Sequence, residues 1–532
     1  MKLDLLVRHA AAALLSLLIG IASLWMFTRN IDFPVAYHPD EASKAGQVIS
    51  GERNFNHPLL LLNAASALRD HLDVPDDPRP VTIVGRWTSG VAAAVAVLAL
   101  TLAAYGSRGF TGLAVAGAMV ALCPPLHVYA KYFKEDAALV AGVAMAVLGA
   151  RFVLSARRTR WQLAAAALLG FGCAMAASGK AVGLIVLVPC VITLAIAPLP
   201  RWWALPARAA VFSVAGALGV FLMNQQAFES LLPPILSAPA QAALREQVSH
   251  ATTGHIDVAL DVPNTFCLRI TAAELMPHAW VALGMGVALT IATRRISRWA
   301  VVLAAFAAAF AVTLSFNTIP FPRYALPLTV LAYFAAAEAV AAVVGWLSLR
   351  RAAGARAAVI VTVSVAGLLQ GYRCISINEQ FRDDSRQRLR EWVALNLPPA
   401  AVVAADSYTQ LGGAGDPDRF PDQATLSINL MRASSPADLA DSLEGLATLG
   451  VQYVAIAEPT YARYLDPAAR PVPGREAQFE RRRQLYRQLL SHGKMIWSAI
   501  PAVPTRAYAN PEIRLYQVTG VAAAAAAVTT AR

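Results

Sequence analysis

Long apolar runs, separated by short polar or charged segments, are the main pattern along this sequence. Most runs are close to the ~20 residues that an α-helix needs to cross the hydrocarbon core of a bilayer. A backbone in that environment must satisfy its own hydrogen bonds, which a helix does. The pattern therefore predicts about eleven membrane-spanning helices, in the runs 10–28, 81–104, 109–130, 136–154, 162–178, 181–199, 207–224, 277–292, 299–316, 324–347 and 357–373.

The first apolar run follows Lys2 and Arg8, so it could belong to a cleaved signal peptide. However, the bulky side chains of Trp25, Met26 and Phe27 stand where a cleavage site needs small residues. We therefore expect this run to remain in the protein as its first membrane-spanning helix.

Basic residues between the runs predict the orientation of the helices, because cytoplasmic loops carry more Lys and Arg than outer loops. With the N terminus inside, the inside loops contain Arg108, Arg157, Arg158, Arg160, Arg201, Arg208, Arg294, Arg295, Arg298, Arg350, Arg351 and Arg356. We therefore expect a multi-pass protein of the inner (plasma) membrane, with the segments 29–80, 225–276 and 374–532 on the extracytoplasmic, or periplasmic, side.

The C-terminal stretch alternates helical and strand-like segments, which is typical of a small α/β domain. The pattern predicts helices at 385–395, 436–449 and 480–490, and strands at 401–405, 453–457 and 513–518. Two domains are expected: a membrane module over 1–373 and an extracytoplasmic α/β domain over 374–532. The Ala-rich end of the second domain, 521–532, is expected to be frayed.

The composition agrees with a membrane protein, since 57% of the 532 residues are hydrophobic and only 15% are charged, against ~25% in soluble domains. The net charge of +12 would suggest nucleic-acid binding in a soluble protein. Here many arginines lie in the inside loops, so no nucleic-acid partner is expected. The five cysteines show no CxxC spacing, which argues against a zinc or redox motif. Whether Cys267 and Cys374 pair is left open.

A second set of charged residues lies at the outer ends of the helices, against the usual bias. Ionisable side chains at membrane depth are costly and often mark a substrate site. The outer set comprises Asp40, Glu41, Arg86, Lys131, Lys134, Glu135, Asp136, Lys180 and Arg323. Their grouping predicts one polar site at a single face of the membrane.

Most members of this outer set also have a structural interpretation. Asp40 follows a proline and could cap the helix that begins there, and the segment 131–136 could anchor the fourth helix at the interface. Lys180 could extend its side chain toward the headgroups. Arg323 and Tyr324 could belong to an interfacial belt of cationic and aromatic residues.

Arg86 is harder to explain structurally, because it lies inside the second predicted span and needs a partner there. The clustered carboxylates are the candidates. Three histidines, His38, His57 and His127, also lie on the outer side. They show no fixed ligand spacing, so each is expected to form hydrogen bonds rather than to bind zinc.

A site with carboxylates and cations at the membrane edge suits a phosphate that is carried by a lipid. The cations would hold the phosphate, the lipid tail would lie along the helices, and a carboxylate would take a proton from an incoming hydroxyl. A departing phosphate gains negative charge, so Lys and Arg would stabilise it more in the transition state than in the ground state. Such a leaving group requires no general acid.

Several short motifs occur in an order that resembles one enzyme family. They are Asp40-Glu41 followed by Gly51 and His57-Pro58-Leu59, then Glu135-Asp136, Lys180, Arg323-Tyr324, Trp392 with Asn396-Leu397-Pro398, and Asn510-Pro511-Glu512 with Tyr516. The set resembles the polyprenyl-phosphate-sugar-dependent glycosyltransferases of the GT-C fold. The resemblance is greatest to the protein-O-mannosyltransferase and aminoarabinose-transferase branch, glycosyltransferase family 39. Some relatives have Lys-Pro-Pro where this chain has His57-Pro58-Leu59.

The resemblance implies an inverting transfer of one sugar from a polyprenyl phosphate to a hydroxyl or phosphate of an acceptor protein, lipid or glycan. It implies that Asp40 is the catalytic base, that Glu41 orients this base, and that Asp136 assists. The implied substrate and phosphate contacts are Arg86, Lys134, Lys180, Arg323, Tyr324 and His57. Some relatives use a divalent metal such as Mg, Mn or Zn, for which Glu41 and Asp136 would be the ligands.

Two other functions remain open from the residues alone. A secondary transporter would explain the helices, although transporters usually have internal repeats and charges near the bilayer midplane. A non-catalytic assembly protein would explain the C-terminal domain as a receptor, but not the paired carboxylates. A separation above ~15 Å between Asp40 and Asp136 would favour that interpretation, because the two could not share one hydrogen-bonded site.

Overall fold

A computed structural model describes most of the chain: residues 2–34, 38, 40–199, 201–231, 234–254, 257–260, 265–319, 321–406, 408–411, 425–428, 442–501 and 509–518. Several predicted features lie outside the described residues. They are Tyr37, Pro39 and Pro320 beside the predicted site, the first part of the predicted helix 436–449, and the Ala-rich segment 521–532.

The bundle is built from fifteen helices of the described chain: α1 (Lys2–Thr28), α2 (Glu41–Ser50), α3 (Leu60–His71), α4 (Pro78–Ala121), α5 (Pro124–Tyr129), α6 (Asp136–Ser155), α7 (Thr159–Gly179), α8 (Leu187–Ile196), α9 (Ala204–Met223), α10 (Ala238–Thr253), α11 (Phe266–Glu274), α12 (Pro277–Thr293), α13 (Arg298–Ser315), α14 (Leu326–Leu349) and α15 (Ala353–Gln380). Short 3₁₀ helices occupy Ala181–Val186, Gln225–Ala227 and Pro322–Ala325, and short strands β1 (Phe228–Leu231), β2 (Pro234–Leu236) and β3 (Val258–Leu260) lie between α9 and α11.

The C-terminal region contains α16 (Ser385–Asn396), β4 (Val403–Asp406), β5 (Thr425–Ile428), α17 (Leu443–Thr448), β6 (Tyr453–Ala457), α18 (Glu458–Leu465), β7 (Ala469–Pro471), α19 (Glu476–His492), β8 (Lys494–Ala499) and β9 (Ile513–Gln517). Its main sheet has the order β5-β4-β6-β9-β8, with parallel pairing around β4 and antiparallel pairing around β9. The predicted α/β character of this region is confirmed, whereas β5, β7, β8 and α18 were not predicted.

The predicted polytopic helical architecture is confirmed, but the count of eleven spans is not. Among the described residues, eight helices are long and apolar enough to cross a bilayer, or nine if α11 and α12, which meet at 102°, form one broken span. Two differences explain the lower number. The predicted span 181–199 is divided into a 3₁₀ helix and the short α8, and the runs 81–104 and 109–130 are joined within α4.

The joined element α4 reverses direction at Gly109, which has a left-handed φ of 63°. A Cβ atom added to Gly112 would lie 2.5 Å from the carbonyl oxygen of Ala104. A straight helix would hold these two residues about 12 Å apart. The two arms of α4 therefore pack against each other, as the two predicted runs require.

Close packing of α6 against α7 sets the geometry at one end of the bundle. A Cβ atom added to Gly142 would lie 2.1 Å from the backbone nitrogen of Ala176, and one added to Gly172 would lie 2.3 Å from that of Ala146. Small residues allow such close backbone approach between membrane helices. The antiparallel register that results places Lys180, at the end of α7, beside the start of α6.

The polar segments and the arginine-rich loops lie at opposite ends of the bundle. α6 begins at Asp136 and ends before Arg157, while α7 begins after Arg158 and ends before Lys180. α14 likewise begins just after Arg323. The charged residues that were predicted to lie at one face of the membrane are thus collected at one end of the bundle. Its orientation toward the outside of the cell remains a prediction.

The C-terminal region packs against the bundle at several points, which include an aromatic core and a pair of strands. Phe33 and Tyr132 of the bundle pack with Phe381, at ring distances of 5.0 and 5.6 Å, in a core that continues into the sheet. Strand β3 pairs with β7. Beside this pair, Arg482 donates to the buried carboxylate of Asp257 at 2.7 Å. Both contacts lie near the end of the bundle that carries the polar segments.

Candidate functional site

Glu41 and Arg86 form a buried ion pair where α2 meets α4. Arg86 donates from Nε to Glu41 Oε1 at 2.9 Å and from Nη2 to Glu41 Oε2 at 2.7 Å, and both side chains are 0% exposed. The backbone N–H of Phe133 also donates to Glu41 Oε1, at 3.0 Å. Protein donors therefore occupy both carboxylate oxygens, and the carboxylate partner predicted for Arg86 is present.

The other donors of Arg86 hold the loop that leads from α1 to α2. Its Nη1 group donates to the carbonyls of Ile31 at 2.8 Å and Phe33 at 2.6 Å, and its Nη2 group donates to Pro34 at 3.0 Å. The guanidinium also lies 3.5 Å from the centroid of the Phe33 ring. These contacts favour a positioning role for Arg86, supporting the loop that carries Asp40, over the predicted phosphate contact.

A second buried ion pair joins α2 to the segment before α6. Lys44 lies one turn after Glu41 on α2 and donates to Glu135 Oε1, with side chains only 4% and 1% exposed. Neither Lys44 nor Glu135 is among the residues to which the sequence assigns a role in the site. The sequence feature that could have identified Lys44 is its i, i+3 spacing from Glu41, which places both side chains on the same face of α2.

Asp40 differs from the other carboxylates of the site by its accessibility. Its side chain is 40% exposed, whereas those of Glu41, Glu135 and Asp136 are 0%, 1% and 1% exposed. It occupies the N-cap position of α2 but accepts no capping hydrogen bond. The interpretation of Asp40 as a helix cap is therefore wrong, and its carboxylate faces the site instead.

Lys134 links the parts of the site. Its Nζ atom donates to Asp40 Oδ2, lies 3.1 Å from Glu135 Oε2 and lies 3.3 Å from His57 Nε2. The same lysine precedes Asp136 by two residues in the sequence. Asp40 and the second acidic motif are therefore parts of one site.

The charges around Asp40 and Lys134 determine how these two groups titrate. Burial tends to raise the pKa of Asp40, but Lys134, His38, Arg323 and Lys44 outweigh burial and hold this pKa well below its usual range. Burial lowers the pKa of Lys134 to about 8, although the Asp40 carboxylate opposes the shift. Near neutral pH the two side chains therefore form a carboxylate–ammonium pair.

The two histidines of the site are uncharged at neutral pH. Burial, followed by the ammonium of Lys134, lowers the pKa of His57 well below its usual value. Burial also lowers the pKa of His38, whose Nδ1 atom accepts a hydrogen bond from the backbone N–H of Asp40 at 3.3 Å. His127 lies elsewhere, and its Nε2 atom makes a hydrogen bond with the carbonyl of Ala121 at 2.8 Å.

Asp136 and Lys180 meet at the start of α6 because of the register between α6 and α7. Lys180 Nζ donates to Asp136 Oδ1 at 2.6 Å, with side chains only 7% and 1% exposed. Asp136 Oδ2 accepts no hydrogen bond from the part of the chain that the structure describes. The extended, solvent-directed conformation considered for Lys180 is therefore not observed.

Arg323 and Tyr324 complete the site from the segment before α14. The ammonium of Lys180 lies 4.3 Å from the centroid of the Tyr324 ring, and the guanidinium of Arg323 lies 4.3 Å from that of Phe321. Arg323 is only 9% exposed. Its positive charge also helps to lower the pKa of Asp40.

The remaining predicted positions serve mainly to hold the fold together. Lys131 donates to the carbonyls of Met26 and Phe27 at 3.3 Å each, which stabilises the end of α1. Asn510 accepts at Oδ1 from the backbone N–H of Ser385 at 2.8 Å and so fixes the start of α16. The C-terminal motifs thus organise the C-terminal region rather than the site around Asp40.

The donor set does not fit the divalent metal considered from sequence. Arg86 and Phe133 occupy the oxygens of Glu41, and Lys180 occupies one oxygen of Asp136. Among the described residues, no group of three or more His, Cys, Asp or Glu side chains is arranged to hold a metal ion. The five cysteines are buried free thiols, so Cys267 and Cys374 do not pair.

Comparisons with known proteins give similarity only at the level of solved structures. No protein-family model matches the sequence, and no curated protein matches it. The chain is similar to the Pmt1-Pmt2 protein O-mannosyltransferase complex of S. cerevisiae bound to the sugar donor, with a TM-score of 0.35 and 18% identity. That alignment covers 42% of this chain and 34% of the yeast chain, so it spans about a third of that protein.

Two other similar structures cover more of the chain. One is ArnT from Cupriavidus metallidurans bound to undecaprenyl phosphate, with a TM-score of 0.43 and 12% identity over 95% of this chain and 97% of ArnT. The other is the oligosaccharyltransferase AglB from Archaeoglobus fulgidus in complex with an inhibitory peptide and a dolichol-phosphate. Its TM-score is 0.48, with 12% identity over 85% of this chain and 71% of AglB.

Proposed function

We propose that this protein is a membrane glycosyltransferase that moves one sugar from a polyprenyl-phosphate donor to an acceptor hydroxyl at the polar end of its bundle. The observation that carries this proposal is the position of Asp40. It is a partly exposed carboxylate in contact with Lys134, next to buried ion pairs that hold it in place. A general base needs such access to a substrate proton, and a phosphate needs cations nearby.

In the proposed reaction, the acceptor oxygen attacks the anomeric carbon of the sugar from the face opposite to the phosphate. The bond from that carbon to the phosphate oxygen breaks, and its electron pair stays on the phosphate. Asp40 takes the proton of the acceptor hydroxyl. Inversion at the anomeric carbon follows from this single displacement, and Lys180 and Arg323 stabilise the charge that develops on the phosphate.

Lys134 has a double role in this proposal. Without donor, its ammonium is paired with Asp40, which makes the carboxylate a weak base. A donor phosphate that contacts Lys134 would draw the ammonium away from Asp40 and raise the basicity of this carboxylate. Donor binding would then prepare the base for the acceptor.

Binding of a labelled polyprenyl-phosphate sugar tests the phosphate role. We expect Arg323→Ala and Lys180→Ala each to weaken binding about tenfold or more, because each removes a charge-assisted contact. Arg245→Ala, on the exposed face of α10, is the matched control and should bind as the wild type. Lys180→Arg keeps a cation beside Asp136 and should retain most of the affinity. Unchanged affinity in both alanine variants would reject the phosphate role.

The pH dependence of transfer provides a separate prediction. Since the pKa of Lys134 is lowered to about 8, its ammonium is present below this pH and is lost above it. Transfer should therefore fall as the pH rises through about 8, by about tenfold per unit for a single essential cation. In Lys134→Arg the charge persists to much higher pH, so the alkaline limb of kcat/KM should move upward by more than one unit. If the alkaline limb does not move in this variant, the loss of activity at high pH belongs to the titration of another group, such as Lys44.

A further inference from the structure

Two stacked aromatic rings connect the site to the C-terminal region. Phe321 and Tyr324 lie with ring centroids 6.2 Å apart and planes inclined by 23°. Lys180 contacts the Tyr324 ring at 4.3 Å, and Arg323 contacts the Phe321 ring at 4.3 Å. A third cation, Arg463 of α18, contacts the same Phe321 ring at 4.7 Å. Cations from three distant parts of the sequence thus surround one pair of rings.

Arg463 is held in this position by the C-terminal region itself. Its Nη2 group donates to the hydroxyl of Tyr408 at 2.9 Å, and its guanidinium lies 5.1 Å from the centroid of the Tyr408 ring. Tyr408 is buried, just beyond the end of β4. Arg463 is only partly buried. A fixed and partly accessible guanidinium therefore faces the segment that carries Arg323.

The shared ring brings the two arginines close enough to act on one ligand. Both guanidiniums contact Phe321, at 4.3 Å for Arg323 and 4.7 Å for Arg463, so they lie beside the same side chain. The ring quadrupole attracts each guanidinium and helps to hold it there. A phosphate that contacts both guanidiniums would receive hydrogen bonds from two donor groups of fixed geometry.

We propose that Arg463 supplies a phosphate contact from the C-terminal region, which completes the anion site begun by Arg323. This inference rests on the proposed function. During transfer the phosphate changes from a diester with one negative charge to a monoester with close to two. A second arginine therefore favours the lipid phosphate that is released over the donor. It also makes the docking of the C-terminal region on Phe321 a condition for tight phosphate binding.

Equilibrium binding to the full-length chain in detergent tests this proposal with three probes: a polyprenyl phosphate, the uncharged polyprenol of the same length, and inorganic phosphate. Arg463→Ala is expected to weaken polyprenyl-phosphate binding about tenfold and to leave polyprenol binding unchanged. The polyprenyl-phosphate sugar should be affected less, because it carries less charge. Arg481→Ala, an exposed position on α19, is the control for charge removal in the same region and should match the wild type.

Arg463→Ala affinities equal to those of the wild type would overturn the proposal. An equal loss of polyprenol binding would do so as well, since it would indicate a structural defect. If Arg463→Ala fails to fold, Tyr408→Phe removes only the hydroxyl that accepts from Arg463 and should still weaken phosphate binding severalfold. If inorganic phosphate binds as tightly as polyprenyl phosphate, and this binding depends on Arg463, the ligand of the site is a free anion and not a lipid phosphate. If the wild type binds polyprenyl phosphate no better than polyprenol, the proposed function itself fails.

Discussion

Asp40→Asn is expected to lower the rate of sugar transfer by about 10²–10⁴-fold, which is the contribution of a positioned general base. Asn has nearly the same shape as Asp but cannot take a proton from the acceptor hydroxyl. Asp40 is 40% exposed and does not cap α2, and the Asn side chain can still accept a hydrogen bond from Lys134, so this substitution should leave expression and membrane insertion close to those of the wild type. The rate is measured with purified protein and a saturating polyprenyl-phosphate sugar.

Two further measurements make this result specific to the base. Asp70→Asn, an acidic position on α3 with a 63% exposed side chain and a surface ion pair to Arg69, should keep full activity, since such pairs contribute little. Donor binding should persist in Asp40→Asn. A variant with wild-type kcat would remove Asp40 from the mechanism, and loss of donor binding with kcat intact would make it a substrate contact.

Arg86→Leu is expected to destabilise the protein by about 3–5 kcal/mol, because removal of one partner from a buried ion pair leaves the other charge uncompensated. Glu41 is fully buried and would lose the guanidinium that donates to both of its carboxylate oxygens. The loop carbonyls of Ile31 and Phe33 would also lose their donor. We expect a lower unfolding temperature in detergent and a reduced yield, together with loss of activity.

The double variant Glu41→Gln with Arg86→Leu separates the two roles considered for Arg86. It removes the stranded charge, so it should recover part of the stability that Arg86→Leu loses. Its activity should remain low, because the loop that carries Asp40 is still without its support. An Arg86→Leu protein of normal stability and raised donor KM would contradict the positioning role and restore the direct phosphate contact.

The hydrophobic pattern predicted the membrane helices well because the bilayer imposes a length and an apolar surface on each span. It did not distinguish a continuous run from a divided one. The segment 181–199 is apolar throughout, but the structure divides it into a 3₁₀ helix and α8. The small residues that allow α6 and α7 to pack closely are present in the sequence. The register between the two helices, however, depends on contacts between distant residues such as Gly142 and Ala176.

The grouping of charged residues at one end of the helices was predictable, because charge at the end of an apolar helix is costly and therefore stands out in a sequence. The roles of its members were harder to predict. Asp40 and Glu41 are neighbours of the same chemical class, but only the structure distinguishes an exposed carboxylate from a buried partner of Arg86. Arg463 lies in a polar region with many other arginines, so no local pattern sets it apart.

The amino-acid sequence by itself determined that this chain is a polytopic helical membrane protein with its acids and cations grouped at one end of the helices. Both properties follow from local free energies of transfer, which depend on residue type and spacing alone. The tertiary structure decided which acid pairs with which cation, and thus which carboxylate remains accessible. Pairing depends on distances between segments that are 44 to 94 residues apart in the chain, and such distances arise only when the helices pack.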